Sequence, residues 1–239
     1  MKAMKARIVC TLLIVLTLAC RDDDKYLKTP PVPEEVFNVE LCPTLLSNVT
    51  ALFPESHNNE EKYTQLFSGG AQQRIVLTKD ANVYVSFVTE AASIGNVLGY
   101  YIYNENATPG SSEDIDKQLI FPNVDNSYLS EGDTRQLGTA KLKAGTVIGF
   151  FLIVGGYHNE GVYFKKPTFY TDTNWNHDGE KQHVLYRESE CGSLVLGFED
   201  KSSATADKDY NDIIFMVSDN TDNTETTSFD IQNVVSLSR

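Results

Sequence analysis

The residues most able to do chemistry lie in one stretch, 192–217. Glu199 and Asp200 follow one apolar run, Leu194, Val195, Leu196 and Phe198. Asp207, Asp209, Asn211 and Asp212 precede a second, Ile213 to Val217. Both runs read as buried strands, and a loop of small residues joins them. The fold would therefore crowd five carboxylates and a carboxamide into one corner of a sheet. Such a corner has two physical solutions. Water solvates the charges on a surface loop, or a hard cation gathers them; Ca²⁺ accepts six to eight oxygen ligands in flexible geometry. The spacing Asp207-x-Asp209-x-Asn211 matches the first three ligand positions of an EF-hand loop. It is not an EF-hand. Asp212 stands where the loop glycine belongs, Ser218 where the closing glutamate belongs, and β-branched residues follow in place of a helix.

A second oxygen-rich loop repeats this chemistry. Asp172, Asn174, Asn176 and Asp178 alternate ahead of Gly179, with Trp175 and His177 among them. Alternation puts hard donors on one side of a tight loop, although Asn/Asp turns also form for local hydrogen-bonding reasons alone. If the two loops met at one end of the sheets, one or two calcium ions could be held there.

Other chemistries fit less well. His177 and His183 match no zinc spacing and read as surface histidines. Glu199 and Asp200 could supply half of a glycosidase pair, but neighbours on a strand point to opposite faces. There is no nucleophile elbow and no phosphate-cradling glycine loop. Tyr100, Tyr101, Tyr103 and Trp175 offer an aromatic sugar platform, or one face of a half-buried strand.

The elements that must position these loops are strands. Runs at 74–79, 83–88, 97–103, 117–121, 136–142, 146–154, 162–164, 167–170 and 182–187 precede the two of the acidic stretch, and 229–237 offers a last one. Thr44 to Phe53 has helical apolar spacing between Pro43 and Pro54. No repeat period is visible. The expectation is an all-β chain, a jelly-roll-like β-sandwich forming a single main domain over 35–239.

The 239 residues carry a formal net charge of −13. That argues against nucleic acid and anionic membrane surfaces as partners. Lys2, Lys5 and Arg7 precede an apolar segment from Ile8 to Ala19, too short for an ordinary membrane span. Ala19-Cys20 then resembles a bacterial lipoprotein signal. The expectation is a signal peptide over 1–19 and lipidation of Cys20. Arg21-Asp22-Asp23-Asp24 resembles the surface-export signal of some outer-membrane lipoproteins. Residues 20–34 read as an acidic, Pro-rich linker. The only membrane contact would be the lipid, with the domain facing the cell exterior. Cys42 and Cys191 would remain in a compartment that permits disulfides, paired or as separate thiols.

One pattern has a wider likeness. Gly149-Phe150-Phe151-Leu152, then Phe169-Tyr170-x-Asp172-x-Asn174, then Leu196-Gly197-Phe198-Glu199-Asp200 and Asp207-x-Asp209-Tyr210-Asn211-Asp212 resemble domain-of-unknown-function family 4114. The likeness covers about 140–218. It implies an extracellular β-rich domain with an acidic, calcium-binding corner, and no established reaction. The resulting expectation is a non-enzymatic surface lipoprotein, ordered by Ca²⁺, that contacts a surface protein or a glycan in adhesion. The alternatives are a carbohydrate-binding lipoprotein of a glycan-uptake system and a glycoside hydrolase.

Overall fold

The computed structural model describes residues 26–202, 204–222 and 224–239. The signal segment, Cys20 and the acidic run to Asp24 lie outside the described residues. No helix among the described residues is long and apolar enough to cross a membrane.

Sixteen strands and two short α-helices are described, in this order: β1 Tyr26–Lys28, β2 Phe37–Asn38, α1 Leu45–Leu52, α2 Asn59–Lys62, β3 Ile75–Leu77, β4 Tyr84–Glu90, β5 Asn96–Asn104 and β6 Gln118–Val124. There follow β7 Asp133–Gln136, β8 Thr146–Ile153, β9 Tyr157–His158, β10 Gly161–Tyr163, β11 Thr168–Tyr170, β12 His183–Glu188, β13 Ser193–Phe198, β14 Ile213–Ser218, β15 Phe229–Asp230 and β16 Val235–Leu237. One sheet runs β16-β12-β13-β14-β4-β7-β2. The second runs β15-β3-β8-β5-β6, with β11 also on β8. Among the described residues, only the β12–β16 pair is parallel. The two sheets face each other across a core that includes Val85, Phe87, Leu196, Phe198 and Phe215 from one and Leu98, Phe121, Phe150 and Leu152 from the other. The all-β sandwich expected from the alternation is thus the architecture found.

The outer faces are covered too, which explains why the central strands read as continuous apolar runs. In β14, Ile213, Phe215 and Val217 enter the core, while Ile214 and Met216 face the other way. There α1 lays Leu45, Val49 and Leu52 against Val184, Tyr186 and Val195. Pro43 and Pro54 confine this helix as the sequence foresees. On the other sheet, Val97, Tyr101, Phe151 and Ile153 point outward beneath Val162 and Tyr170.

The expected linker needs correction at Tyr26–Lys28. Those residues pair with β10 in a third small sheet, β1-β10-β9. The Tyr26 ring packs on Tyr163 at 4.7 Å and its hydroxyl donates to the Asn159 carbonyl at 3.0 Å. A stretch this short shows no alternation to read. Strand 136–142 is displaced for a related reason: pairing with β4 takes 134–136, and Leu142 keeps one isolated bridge to Ala81.

Candidate metal centre

The acidic corner is built by the β13–β14 hairpin. Phe198 stands opposite Ile213 in the register, so the next residues outward, Glu199 and Asp212, are brought side by side. Like charges placed so are destabilising. Gly197 lets the connecting loop fold back over its own strand, because a Cβ there would collide with the Tyr210 carbonyl oxygen. Lys208 and Tyr210 take left-handed backbone angles, φ 66° and 59°, at a cost of about 1–3 kcal/mol each for non-glycine residues. The surroundings hold them there. Asn59 N–H donates to the Lys208 carbonyl at 2.9 Å and its amide to the Asp209 carbonyl at 2.9 Å. Glu60 accepts from Lys208 Nζ at 2.6 Å and from the Tyr210 hydroxyl at 2.8 Å.

One oxygen from each of Glu199, Asp209 and Asp212 lies within 4.8 Å of the others. All three residues are buried, at 0, 1 and 8 % exposure. Backbone donors fix their orientation: Lys208 N–H to Glu199 Oε2 (3.1 Å), Asp200 N–H to Asp212 Oδ2 (2.7 Å), and Ser56 N–H to Asp209 Oδ2 (2.7 Å). Asn211 donates its amide to the Phe53 carbonyl at 3.1 Å. Its other end, Asn211 Oδ1, and Glu199 Oε1 are buried without a hydrogen-bond partner among the described residues. Burial first, then the neighbouring carboxylates, raises Glu199 and Asp212 well above the usual carboxylate range. Burial raises Asp209 as well, against the donors Ser56 and Asn211. No lysine or arginine forms an ion pair with these three among the described residues. Lys208 is taken by Glu60, and Lys201 is exposed.

This donor set fits a hard divalent cation. Ca–O bonds of about 2.4 Å place ligands no more than about 4.8 Å apart, the span seen here. Glu199, Asp209 and Asp212 would hold the ion; Asn211, whose Oδ1 is unpartnered, immediately precedes Asp212 in the chain. Asp207 joins Asp209 in an adjoining group with Glu55. Asp200 stands behind, accepting from Asn96 Nδ2 at 2.9 Å.

Sequence reasoning missed Glu55, Ser56 and Asn59. They sit in a polar loop and a one-turn helix more than 140 residues upstream, and nothing local marks them. What brings them in is α1, tethered at its start by a Cys42–Cys191 disulfide with Cα atoms 5.8 Å apart. Next to it the buried Glu188 accepts from Cys191 N–H (2.8 Å) and from Asn48 Nδ2 (3.2 Å).

The second oxygen loop does not join this corner. Asp172 accepts from the Tyr101 hydroxyl (2.8 Å), the Tyr103 hydroxyl (3.1 Å) and Arg74 (3.3 Å). Asn176 is buried and spends both ends on backbone, accepting from Tyr170 N–H and donating to the Tyr170 and Glu180 carbonyls. Asn174 and Asp178 are exposed. The alternation here serves a tight turn, as Asn/Asp chemistry allows without metal. Of the two readings of the tyrosine-rich stretch, the strand is the one found: Tyr100 and Tyr101 are buried in β5, at 8 and 0 % exposure. One further expectation is corrected. His183 is no surface histidine; it is fully buried, with Nε2 on the Gln73 carbonyl at 3.2 Å.

Residues 142–220 match the family model described as "Domain of unknown function (DUF4114)". No curated protein and no solved structure matches the chain. The matched segment runs from just before β8 to just after β14 and holds the whole acidic loop. Over those residues the chain carries a domain of the DUF4114 family.

Proposed function

We propose that the corner of Glu199, Asp209 and Asp212 binds Ca²⁺, and that the protein is a non-enzymatic surface module ordered by that ion. The observation that carries this reading is the coexistence of three buried carboxylates within 4.8 Å with two buried, unpartnered oxygens, Glu199 Oε1 and Asn211 Oδ1. Burying charge without a partner costs far more than burying a paired one. A divalent ion would remove the repulsion among the three carboxylates.

Order is what the ion would provide. Bound there, it would tie the β13–β14 loop to the segment after α1 through Asp209 and Asn211. A surface ordered in advance loses less entropy on meeting a partner. The partner class this favours is another surface protein, as in adhesion. The basic, apolar and Ala19-Cys20 sequence at the N-terminus supports a lipid anchor in the outer membrane, with the domain facing outward. Burial of the corner argues against a glycoside hydrolase, whose carboxylates must reach a polymer.

The test is calorimetric titration of Ca²⁺ into protein stripped with chelator, beside an Asp212→Asn variant. The reading predicts saturable binding that the variant loses by tenfold or more. Absence of binding to the stripped, folded protein would overturn it.

A further inference from the structure

A cleft of about 610 Å³ opens on the other sheet, away from any residue of the acidic corner. Its walls include Arg74, which precedes β3, the loop at Thr108–Gly110, and the turn carrying Asp172, Asn174 and Trp175. We infer that this cleft binds a saccharide.

The floor is rigid. Gly149 leaves room for the Tyr101 ring to cross β8, where a Cβ would collide with it. Tyr101 and Tyr103 then stack, with centroids 6.3 Å apart, and both hydroxyls reach Asp172. Trp175 packs on Tyr101 at 5.1 Å and on Tyr170 at 5.9 Å, and still lines the cleft. An indole supported in this way offers a flat apolar surface for the C–H face of a sugar ring.

The rim supplies polar groups for hydroxyls. Arg74 uses one guanidinium nitrogen on Tyr103 and Asp172, and its remaining nitrogens have no partner among the described residues. Asn174 is exposed, and its amide makes no hydrogen bond among the described residues. Asp172 has both oxygens engaged, and Gln73, Thr108 and Thr173 add further amide and hydroxyl groups to the lining. Arg74 and Asp172 are the charged residues lining the cleft and they pair with each other at 3.3 Å. That near-neutral balance suits a polyhydroxylated ligand better than a small inorganic anion. This inference stands apart from the calcium reading, because the two sites share no lining residue.

Trp175 is the only tryptophan of the chain, so indole emission reports on this cleft alone. The experiment titrates the whole protein with oligosaccharides of galactose, N-acetylglucosamine, mannose and glucuronic acid, in chelator, following that emission. Asn174→Ala and Arg74→Lys variants are run beside it, with unfolding midpoints to show that each is folded. The expected result is a saturable shift with at least one sugar, weakened tenfold or more in Asn174→Ala and in Arg74→Lys. A silent response to all four sugars overturns the inference. So does a response that both folded variants retain, or one that inorganic phosphate alone reproduces while the sugars do not.

Discussion

Ser56 donates its backbone N–H to Asp209 Oδ2 at 2.7 Å, across 153 residues of sequence. Ser56 belongs to the segment after α1, and Asp209 to the hairpin loop of the family domain. This bond joins the part of the chain that the family match covers to a part it does not. Together with the Cys42–Cys191 bridge it makes the acidic corner a product of both.

That coupling predicts an effect of reduction. Opening the disulfide, or replacing Cys191 by Ser, frees α1 at its start. Removing a native bridge costs about 2–5 kcal/mol in small secreted domains, and this one joins residues 149 apart. Chemical unfolding should show a loss of that order. Calcium affinity of the still-folded protein should fall with it, since the Ser56 donor and Glu55 are then less firmly placed.

Gly197→Ala tests the loop's return over β13. The added methyl meets the Tyr210 carbonyl oxygen, which is backbone and cannot rotate away. Overpacking of this kind costs about 1–3 kcal/mol. A lowered unfolding midpoint is expected with and without calcium. An unchanged midpoint would mean that the loop does not lie where it is described.

Glu199→Gln should change sign with the ion. Without metal and above pH 8, where both raised carboxyls are ionised, the variant removes one buried charge from a repelling group, so it should unfold later than the parent. With Ca²⁺ it lacks a ligand, so it should unfold earlier. Denaturation of both proteins in chelator and in calcium reads the crossing directly.

His183 sets a pH dependence of its own. Burial, aided by the nearby Lys181 charge, lowers its pKa from 6.5 to about 3. The unfolded chain therefore binds the proton first, and stability falls as pH drops from about 6.5 toward 3. By pH 5 the loss from this one residue is about 2 kcal/mol. Subtracting the urea unfolding curve of a His183→Gln variant from that of the parent, between pH 4 and 7, should leave this slope.

Much of this was legible in the sequence, and the reasons differ by element. The long central strands show themselves because their apolar runs are covered on both faces, as in β8 and β14. Strands of two or three residues, such as β2, β9 and β15, carry too few positions for a period. Asn123 and Val124 read as loop yet extend β6, which tolerates Pro122 because it lies at the sheet edge. In the corner, Glu199, Asp209 and Asp212 were readable because the hairpin that gathers them is local. Glu55, Ser56 and Asn59 were not, because their approach depends on α1 docking across the sheet. The turn at 172–178 has the same residue types with another role. Composition alone does not reveal that Asp172 is already bonded to two tyrosines and an arginine.

The most direct measurement is thermal unfolding of the protein with millimolar Ca²⁺ and after chelation, beside an Asp209→Ala, Asp212→Ala double variant. A ligand that binds only the folded state adds about 2.7 kcal/mol at a hundredfold excess over Kd. The account predicts a midpoint that rises with calcium, falls back on chelation, and does not move in the double variant. A chelated protein whose midpoint calcium leaves unchanged would contradict it.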